Sequence, residues 1–317
     1  MILLIGEGGN ENMSLKILEE LQSMQEDVIW VDQNTLPVEN NIYLRPVDGK
    51  ITGEICFHNK ITIDIDKFTG IYTRLDFFKT EQALTDLHKG FLQSERAIAI
   101  DTWLEHTDAI VVNPAKSQKS NSSKLYQTWI VQKYGFKVPD CLVTNDPDEA
   151  RNFYNKYKEQ GLIFKSASGE RSIVGKVTEE EVNRFDMLVH CPTMLQSFVE
   201  GTDYRVHTLV TGEVFATEIL SESSDYRYDS DRELKTVKLP DDLKKKCVEM
   251  TADLGLYLSG IDLRKTPDGD YYCFEVNPSP AFSWYEDQTG QPIANAVAKM
   301  LLKGKEFKKK INLQRRF

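Results

Sequence analysis

The chain has 317 residues, of which 40% are hydrophobic and 28% charged, and this length is typical of about two domains. The composition indicates a globular protein and argues against a disordered chain, a collagen or a disulfide scaffold. The net charge of −10 argues against general nucleic-acid binding, which needs a basic surface. No apolar run reaches membrane-span length, and the first residues lack a signal peptide's basic leader and cleavage site. We therefore expect a cytoplasmic protein with no membrane or nucleic-acid partner.

The first part of the chain predicts an α/β unit, because short apolar runs alternate with glycines and with apolar side chains at helical spacing. The predicted strands cover residues 1–5, 28–31, 51–57, 61–65, 71–72 and 110–112. The predicted helices cover residues 15–24 and 84–103. Asn113-Pro114 interrupts the pattern, so we expect an N-terminal domain over residues 1–113.

A central domain is expected over residues 114–192, because two helix-start patterns flank a short apolar run there. Its predicted helices begin near Lys124, Asp146 and Thr178, and its predicted strand covers residues 162–165. After Pro192 the pattern becomes that of strands again, which places the second domain boundary.

Residues 193–317 predict a C-terminal domain that is mainly β. Its predicted strands cover residues 194–199, 206–210, 214–219 and the two arms of a hairpin over 256–277. Its predicted helices cover residues 243–254 and 292–302. Residues 221–236 carry many charges and few apolar side chains, which predicts a mobile loop.

The hairpin over residues 256–277 carries the most specific chemical pattern. If Thr266 pairs with Tyr271, Asp262 lies directly opposite Glu275. Asn277 is two residues further on and therefore shares the face of Glu275. Two carboxylates and an amide oxygen on one face suit Mg²⁺. The alternative is an exposed polar strand face. The residues predicted for the opposite, core-facing side are Ile261, Leu263, Phe274 and Val276.

Two separated lysines indicate phosphate binding. Lys124 begins a helix after a serine-rich segment, and Lys165 ends an apolar strand that runs into the small residues 166–169. Each lysine taken alone is more typical of an ordinary surface residue. Residues 6–9 are glycine-rich but do not form a dinucleotide fingerprint, and no Walker motif occurs. A nicotinamide-dependent dehydrogenase that uses this loop remains an alternative, although it would leave the acidic hairpin unexplained.

The segments QSFVEGTDYRVHTLVTGEVFA (196–216) and GIDLRKTPDGDYYCFEVNPSPAF (260–282) resemble the hinge and the metal-binding hairpin of the ATP-grasp ligases. The resemblance covers nearly the whole chain. It implies an α/β protein with the ATP-grasp fold, in which an N-terminal α/β domain precedes central and C-terminal α+β domains that clamp ATP.

This resemblance also implies a role for each motif residue. Gln196 and the Val199 backbone would contact adenine, Asp203 would contact the ribose, and Lys124 and Lys165 would hold phosphates. Asp262, Glu275 and Asn277 would hold Mg²⁺, and Arg205 and Arg264 would face the γ-phosphate and the acyl phosphate as catalytic residues. Lys235 is a further candidate for a local positive funnel, which an acidic protein needs to attract an acidic substrate.

Within the ATP-grasp ligases, residues 277–293 and 47–78 are similar to the graspetide enzymes of microviridin and plesiocin type, which macrocyclise ribosomal peptides. This likeness implies a precursor peptide with a recognition segment and an acidic core, closed by ester or amide rings. We also expect a homodimer. Besides the dehydrogenase, two alternatives stay open: a ligase that adds a free amino acid such as glutamate, and a nucleotide-binding module without catalysis.

Overall fold

The structure is a computed structural model that describes residues 1–6, 13–32, 40–57, 60–74, 87–169, 174–221 and 233–314. The strands are β1 (Ile2–Gly6), β2 (Val28–Asp32), β3 (Asn41–Val47), β4 (Lys50–Cys56), β5 (Thr62–Asp64), β6 (Gly70–Thr73), β7 (Ile110–Val112), β8 (Cys141–Thr144), β9 (Leu162–Lys165), β10 (Gly175–Lys176), β11 (Thr193–Ser197), β12 (Thr202–Leu209), β13 (Val214–Leu220), β14 (Glu233–Val237), β15 (Leu258–Lys265) and β16 (Tyr271–Asn277). The α-helices are α1 (Met13–Ser23), α2 (Leu87–His106), α3 (Ala115–Gln118), α4 (Lys124–Lys133), α5 (Pro147–Tyr157), α6 (Glu179–Asn183), α7 (Asp241–Asp253), α8 (Ser283–Thr289), α9 (Ile293–Leu302) and α10 (Gly304–Gln314). Short 3-10 helices cover Ile65–Lys67, Lys119–Asn121 and Phe185–His190. Within these described ranges, no helix is both long enough and apolar enough to cross a membrane.

The N-terminal sheet is parallel, with the strand order β2-β1-β6-β7, and this confirms the predicted α/β unit. All residues of β1 are buried. One face of the sheet packs on α1 and α9, and the other packs on α2. Strands that are buried on both faces have continuous apolar sequences, which explains the opening run MILLI.

A smaller antiparallel sheet with the order β3-β4-β5 lies beside the N-terminal sheet. The sequence predicts β4 and β5 but not β3. Asp48 and Gly49 connect β3 to β4 with positive φ angles of 49° and 75°, and an Asp-Gly turn is a strong hairpin signal. Pro46 obscures that signal, because a proline inside a strand pattern argues for an edge strand or for no strand.

The central sheet is antiparallel and has the order β10-β9-β11-β8. Both predicted helix starts beside it are confirmed. The Asp146 side chain accepts a hydrogen bond from the Asp148 backbone N–H at 2.9 Å, and Thr178 forms a complete capping box with Glu181. β11, the first strand after the boundary predicted at residue 192, pairs with β8 and β9 of this sheet.

The C-terminal sheet is antiparallel and has the order β14-β13-β12-β15-β16. One face packs on α7 and on the inner side of α4. The predicted mobile loop over residues 221–236 is wrong for residues 233–236, since they lie in β14, which pairs with β13. Residues 222–232 of that predicted loop lie outside the described part of the chain.

The last helices pack on the N-terminal sheet, although the sequence assigns them to the C-terminal domain. Val297 and Leu301 of α9 are fully buried in the same core as Ile2 and Leu4 of β1. Asn113, at the first predicted boundary, is also a junction. Its Oδ1 accepts a hydrogen bond from the Tyr257 backbone at 2.7 Å, and its Nδ2 donates to the Leu258 carbonyl at 2.6 Å. The core shared by β1 and α9 and the hydrogen bonds of Asn113 thus join segments that the sequence places in different domains.

Candidate functional site

Strands β12, β15 and β16 bring the predicted metal ligands and Arg205 onto one face of the C-terminal sheet. Asp262 lies opposite Glu275 on one side and opposite Arg205 on the other. Asn277 is two residues beyond Glu275 and lies opposite Gly260. The opposition of the two carboxylates, which the sequence predicts, is therefore present in the structure.

The strand register that places Asp262 opposite Glu275 differs from the predicted one. Tyr271 pairs with Lys265 rather than with Thr266, and a β-bulge follows between Asp262 and Leu263. A bulge places two residues opposite one, so that the added residue is Phe274. Cys273, not Phe274, lies opposite Leu263 and is buried in the core. The prediction that Phe274 faces the core is thus wrong.

Arg205 and Asp262 form an ion pair in the centre of this face. Arg205 Nη1 donates to Asp262 Oδ1 at 2.6 Å, and the Arg205 side chain is buried. Gly260 makes room for it, because a Cβ there would lie 2.9 Å from the guanidinium carbon. On the other carboxylate, Asn121 Nδ2 donates to Glu275 Oε1 at 2.9 Å. The sequence gives no local signal for Asn121.

The donor set fits Mg²⁺. Asp262, Glu275 and Asn277 offer two carboxylates and an amide oxygen on one strand face, and Mg²⁺ is commonly held by one or two carboxylates together with substrate phosphates. Among the described residues, no group of three or more His, Cys, Asp and Glu side chains could hold a metal without such help. The amide oxygen of Asn277 already accepts a hydrogen bond from the Ser279 backbone at 2.8 Å, which fixes its orientation.

Arg264 lies at the hinge end of the same face. Its Nε and Nη2 donate to the two carboxylate oxygens of Asp203 at 2.7 and 2.8 Å, and its Nη1 donates to the Val199 carbonyl at 2.9 Å. Its guanidinium carbon is 5.8 Å from the ring centre of Phe198 and 5.3 Å from that of Phe274. The two arginines predicted at the reacting phosphate therefore lie in different parts of the site.

Lys165 and Gln196 lie on one face of the central sheet. Lys165 pairs with Met194, which is two residues before Gln196 in β11, so Lys165 and Gln196 project from the same face. Leu195 projects from the opposite face, into the core. Gln196 is buried.

Lys124 reaches the segment that follows Lys165. Its Nζ donates to Ser166 Oγ at 3.2 Å and to the Ser168 carbonyl. The structure thus brings the two predicted phosphate-binding lysines to the same short segment.

His207 is a buried polar residue of this site that sequence reasoning missed. It packs against the rings of Phe282 and Tyr285, with ring centres 6.5 and 5.1 Å away. Its Nε2 donates to the Ala281 carbonyl at 3.3 Å, since a carbonyl can only accept. Burial, and next the positive charge of Arg205, lower the pKa of His207 to about 3. The imidazole is therefore neutral at pH 7, beside the permanently charged arginine.

Lys235 does not join the site. It lies opposite Glu218, on the face of the sheet that also carries Tyr204, and its Nζ is 3.3 Å from Glu233 Oε2. Tyr204 precedes Arg205 in β12, so the two side chains point to opposite faces. The expectation that Lys235 contributes to a positive funnel beside Arg205 is wrong.

Residues 120–301, more than half of the chain, match the RimK-like ATP-grasp domain. The protein therefore belongs to the RimK-like ATP-grasp family, and this confirms the resemblance of its hinge and hairpin motifs to the ATP-grasp ligases. It is 25% identical over 225 residues to beta-citrylglutamate synthase B of Danio rerio, an alignment that covers 67% of this chain and 55% of that protein. It is also 25% identical over 210 residues to a probable alpha-L-glutamate ligase of Parasynechococcus marenigrum, covering 63% and 45%. The chain thus spans about half the length of these curated relatives.

Solved structures resemble this one over almost its whole length. The macrocyclase MdnC from Microcystis aeruginosa, bound with the precursor peptide MdnA, superposes with a TM-score of 0.80 at 21% identity, covering 96% of this chain and all of that one. A RiPP-associated ATP-grasp ligase of Chryseobacterium gregarium, in complex with ADP and a leader and core peptide, gives a TM-score of 0.81 at 22% identity and covers 95% and 96%. These likenesses confirm the ATP-grasp fold.

Proposed function

We propose that this protein is an ADP-forming ligase that activates side-chain carboxylates of a ribosomally made precursor peptide and joins them to hydroxyl or amine groups of the same peptide. The observation that carries the proposal is the convergence of two lysines and two facing carboxylates. Asn121, which precedes the helix of Lys124, donates to Glu275 at 2.9 Å. The match to peptide-bound structures over 95–96% of the chain supports a peptide as the second substrate.

The proposed reaction has two steps. A carboxylate oxygen of the peptide attacks the γ-phosphorus of ATP, so that an acyl phosphate forms and ADP leaves. A hydroxyl or amine of the same peptide then attacks the acyl carbon, an ester or amide bond forms, phosphate leaves with one carboxylate oxygen, and the nucleophile loses its proton. The peptide therefore loses the mass of one water for each ring.

The central sheet would bind the nucleotide. Lys124 contacts Ser166 and Ser168, which follow Lys165 in the chain, and both lysines would bind phosphate oxygens. Gln196 and the Val199 backbone would contact adenine. Phosphoryl transfer is catalysed mainly by positioning and by neutralising charge, and lysines held in this way supply both.

The C-terminal sheet would supply the remaining charges. Asp262, Glu275 and Asn277 would hold Mg²⁺, which when bound neutralises phosphate oxygens. Arg205, buried beside Asp262, would stabilise charge on the transferring phosphoryl group and on the peptide carboxylate. Arg264 already donates to Asp203 and to the hinge carbonyl, so we propose that it orients Asp203 toward the ribose rather than acting on the reacting phosphate.

A ligase that adds a free amino acid is the second candidate, because the curated relatives include a beta-citrylglutamate synthase and probable alpha-L-glutamate ligases. Such an enzyme would use the same ATP site, but a free amino acid would bind beside Arg205 in place of a hydroxyl or amine group of the peptide. The two functions predict opposite mass changes in the peptide.

The deciding experiment incubates the protein with ATP, Mg²⁺, millimolar glutamate and an acidic peptide encoded beside its gene. Before the reaction, the peptide's side-chain carboxylates are labelled with heavy oxygen. We expect the peptide to lose one labelled water per ring and the label to appear in inorganic phosphate. An increase by the mass of a glutamate residue would instead establish the amino-acid ligase.

A further inference from the structure

Helix α4 lies between the two halves of the site, and one buried amide on it holds the metal-binding strand. Gln127 is 3% exposed. Its Nε2 donates to the Val276 carbonyl at 2.7 Å, and its Oε1 accepts from the Val276 backbone N–H at 2.8 Å. A neutral amide offers a donor and an acceptor side by side, as this arrangement requires. Gln127 therefore satisfies both backbone polar groups of a single residue in β16.

That residue stands between two of the proposed Mg²⁺ ligands. Val276 points into the core, whereas Glu275 and Asn277 on either side of it point to the site. Fixing the backbone of Val276 fixes the Cα positions from which both ligands project. The contact thus acts on the metal site without touching it.

The same helix also begins at a proposed phosphate ligand. Lys124 lies one helical turn before Gln127 and contacts Ser166 and Ser168. Asn121, just before the helix, donates to Glu275. One short helix therefore makes contact with the phosphate-binding segment at its start and with the metal strand in its first turns.

We propose that Gln127 is a positioning residue that couples Mg²⁺ binding at Glu275 and Asn277 to nucleotide binding at Lys124. This proposal rests on the ATP and Mg²⁺ site of the proposed function. By holding β16 at a fixed distance from Lys124, Gln127 keeps the metal ligands where an ion can contact the phosphates that Lys124 binds. Without the contact, Lys124 would still bind the nucleotide, but the bound nucleotide would no longer favour Mg²⁺ binding at Glu275 and Asn277.

The test compares Gln127→Met with Gln132→Met, a matched substitution on the exposed side of the same helix. Calorimetry measures the dissociation constant of a non-hydrolysable ATP analogue with and without Mg²⁺, and the ratio of the two constants is the coupling factor. For Gln127→Met we expect the factor to fall about tenfold while the constant without Mg²⁺ stays within about twofold of wild type. Gln132→Met should keep the wild-type factor.

A wild-type coupling factor in folded Gln127→Met would overturn the positioning role, because a residue that only satisfies buried backbone groups would leave the factor unchanged. If that variant does not fold, Gln127→Asn serves instead, since it keeps a neutral amide that is one methylene too short to bond both backbone groups of Val276. The same fall in the factor is expected. If wild-type protein itself shows no Mg²⁺-dependent nucleotide binding, the proposed function fails together with the coupling.

Discussion

Glu275 and Asp262 are like charges that face each other across two strands, an arrangement that destabilises a sheet unless other groups compensate. Arg205 compensates one carboxylate and Asn121 the other. We expect Glu275→Ala to abolish ADP formation while the thermal unfolding temperature stays at or above that of the wild type. Glu213→Ala, an exposed change in the turn after β12, is the control. Near-normal turnover in Glu275→Ala would contradict the metal-site assignment.

Lys165 projects from the end of β9 on the face that carries Gln196. A charged hydrogen bond to phosphate contributes about 1.5–3 kcal/mol, so Lys165→Ala should raise the dissociation constant of ATP by roughly 10–100-fold. Titration calorimetry measures this, with the exposed Lys245→Ala as the control. A change below about twofold would make Lys165 an ordinary surface lysine.

The buried imidazole of His207 makes the free energy of unfolding depend on pH in the acid range. The folded protein keeps it neutral down to a pKa of about 3, whereas its ordinary value is 6.5. Below pH 6.5 the unfolded chain binds a proton that the folded chain does not, so the free energy of unfolding falls by up to about 1.4 kcal/mol per pH unit until the folded pKa is reached. The positive charge of Arg205, two residues earlier in β12, opposes protonation of His207 in the folded state.

We therefore expect wild type to lose more stability than His207→Gln between pH 7 and pH 5, measured by urea unfolding at both values. The two proteins share every other titrating group, so the difference of the two losses isolates the imidazole. Equal losses would show that His207 is protonated in the folded state at pH 5.

At the scale of elements, the β-bulge decides which side chains of β16 reach the site. Because of the bulge, Phe274 points to the site rather than to the core. Its ring lies against Arg264, whose guanidinium carbon is 5.3 Å from the ring centre. Phe274→Ala should loosen Arg264 and, through it, Asp203. A cation–π contact contributes about 0.5–1 kcal/mol at such a site, so we expect the dissociation constant of ADP to rise about two- to fivefold. Phe274→Tyr, which keeps the ring, should bind ADP as the wild type does.

The hairpin shows how far the sequence predicts this site. The facing pair Asp262 and Glu275 follows from the alternation of polar and apolar residues, even though the assumed pairing of Thr266 is wrong by one position. The bulge could not be predicted, because Phe274 is apolar and alternates in phase with Val276, which hides the shift that places Cys273 opposite Leu263. The burial of Gln127 could be predicted, because it lies three positions before Ile130 and four before Val131. Residues at these spacings share one face of a helix.

Contacts between distant segments explain most of what the sequence does not predict. Asn113 follows an apolar strand and looks like a linker, but its amide bonds to backbone groups of residues 257 and 258. Lys235 carries the charge that a funnel needs, yet its strand places it on the other face of the sheet. Local patterns identify strands and helices, whereas the face on which a charge ends depends on pairing between strands.

At the scale of the molecule, the N-terminal sheet is completed by the last helices. Gly70 of β6 touches α9 so closely that a Cβ would lie 2.7 Å from the Leu301 carbonyl oxygen. We therefore expect a fragment of residues 1–113 to remain unfolded, because the apolar face that α9 covers would be exposed to water. Circular dichroism and amide exchange on the isolated fragment test this. Cooperative unfolding of the fragment alone would show that its core is sufficient without α9.

The shared core of β1 and α9 has a consequence for synthesis on the ribosome. Ile2 and Leu4 are synthesised almost 300 residues before Val297 and Leu301, which bury them. At roughly 5–20 residues per second the delay is about 15–60 s. During that interval the nascent chain carries an uncovered apolar strand, and exposed strands of this kind are prone to aggregate. Expression of this protein should therefore depend on translation speed and on chaperone supply more than its final stability would suggest.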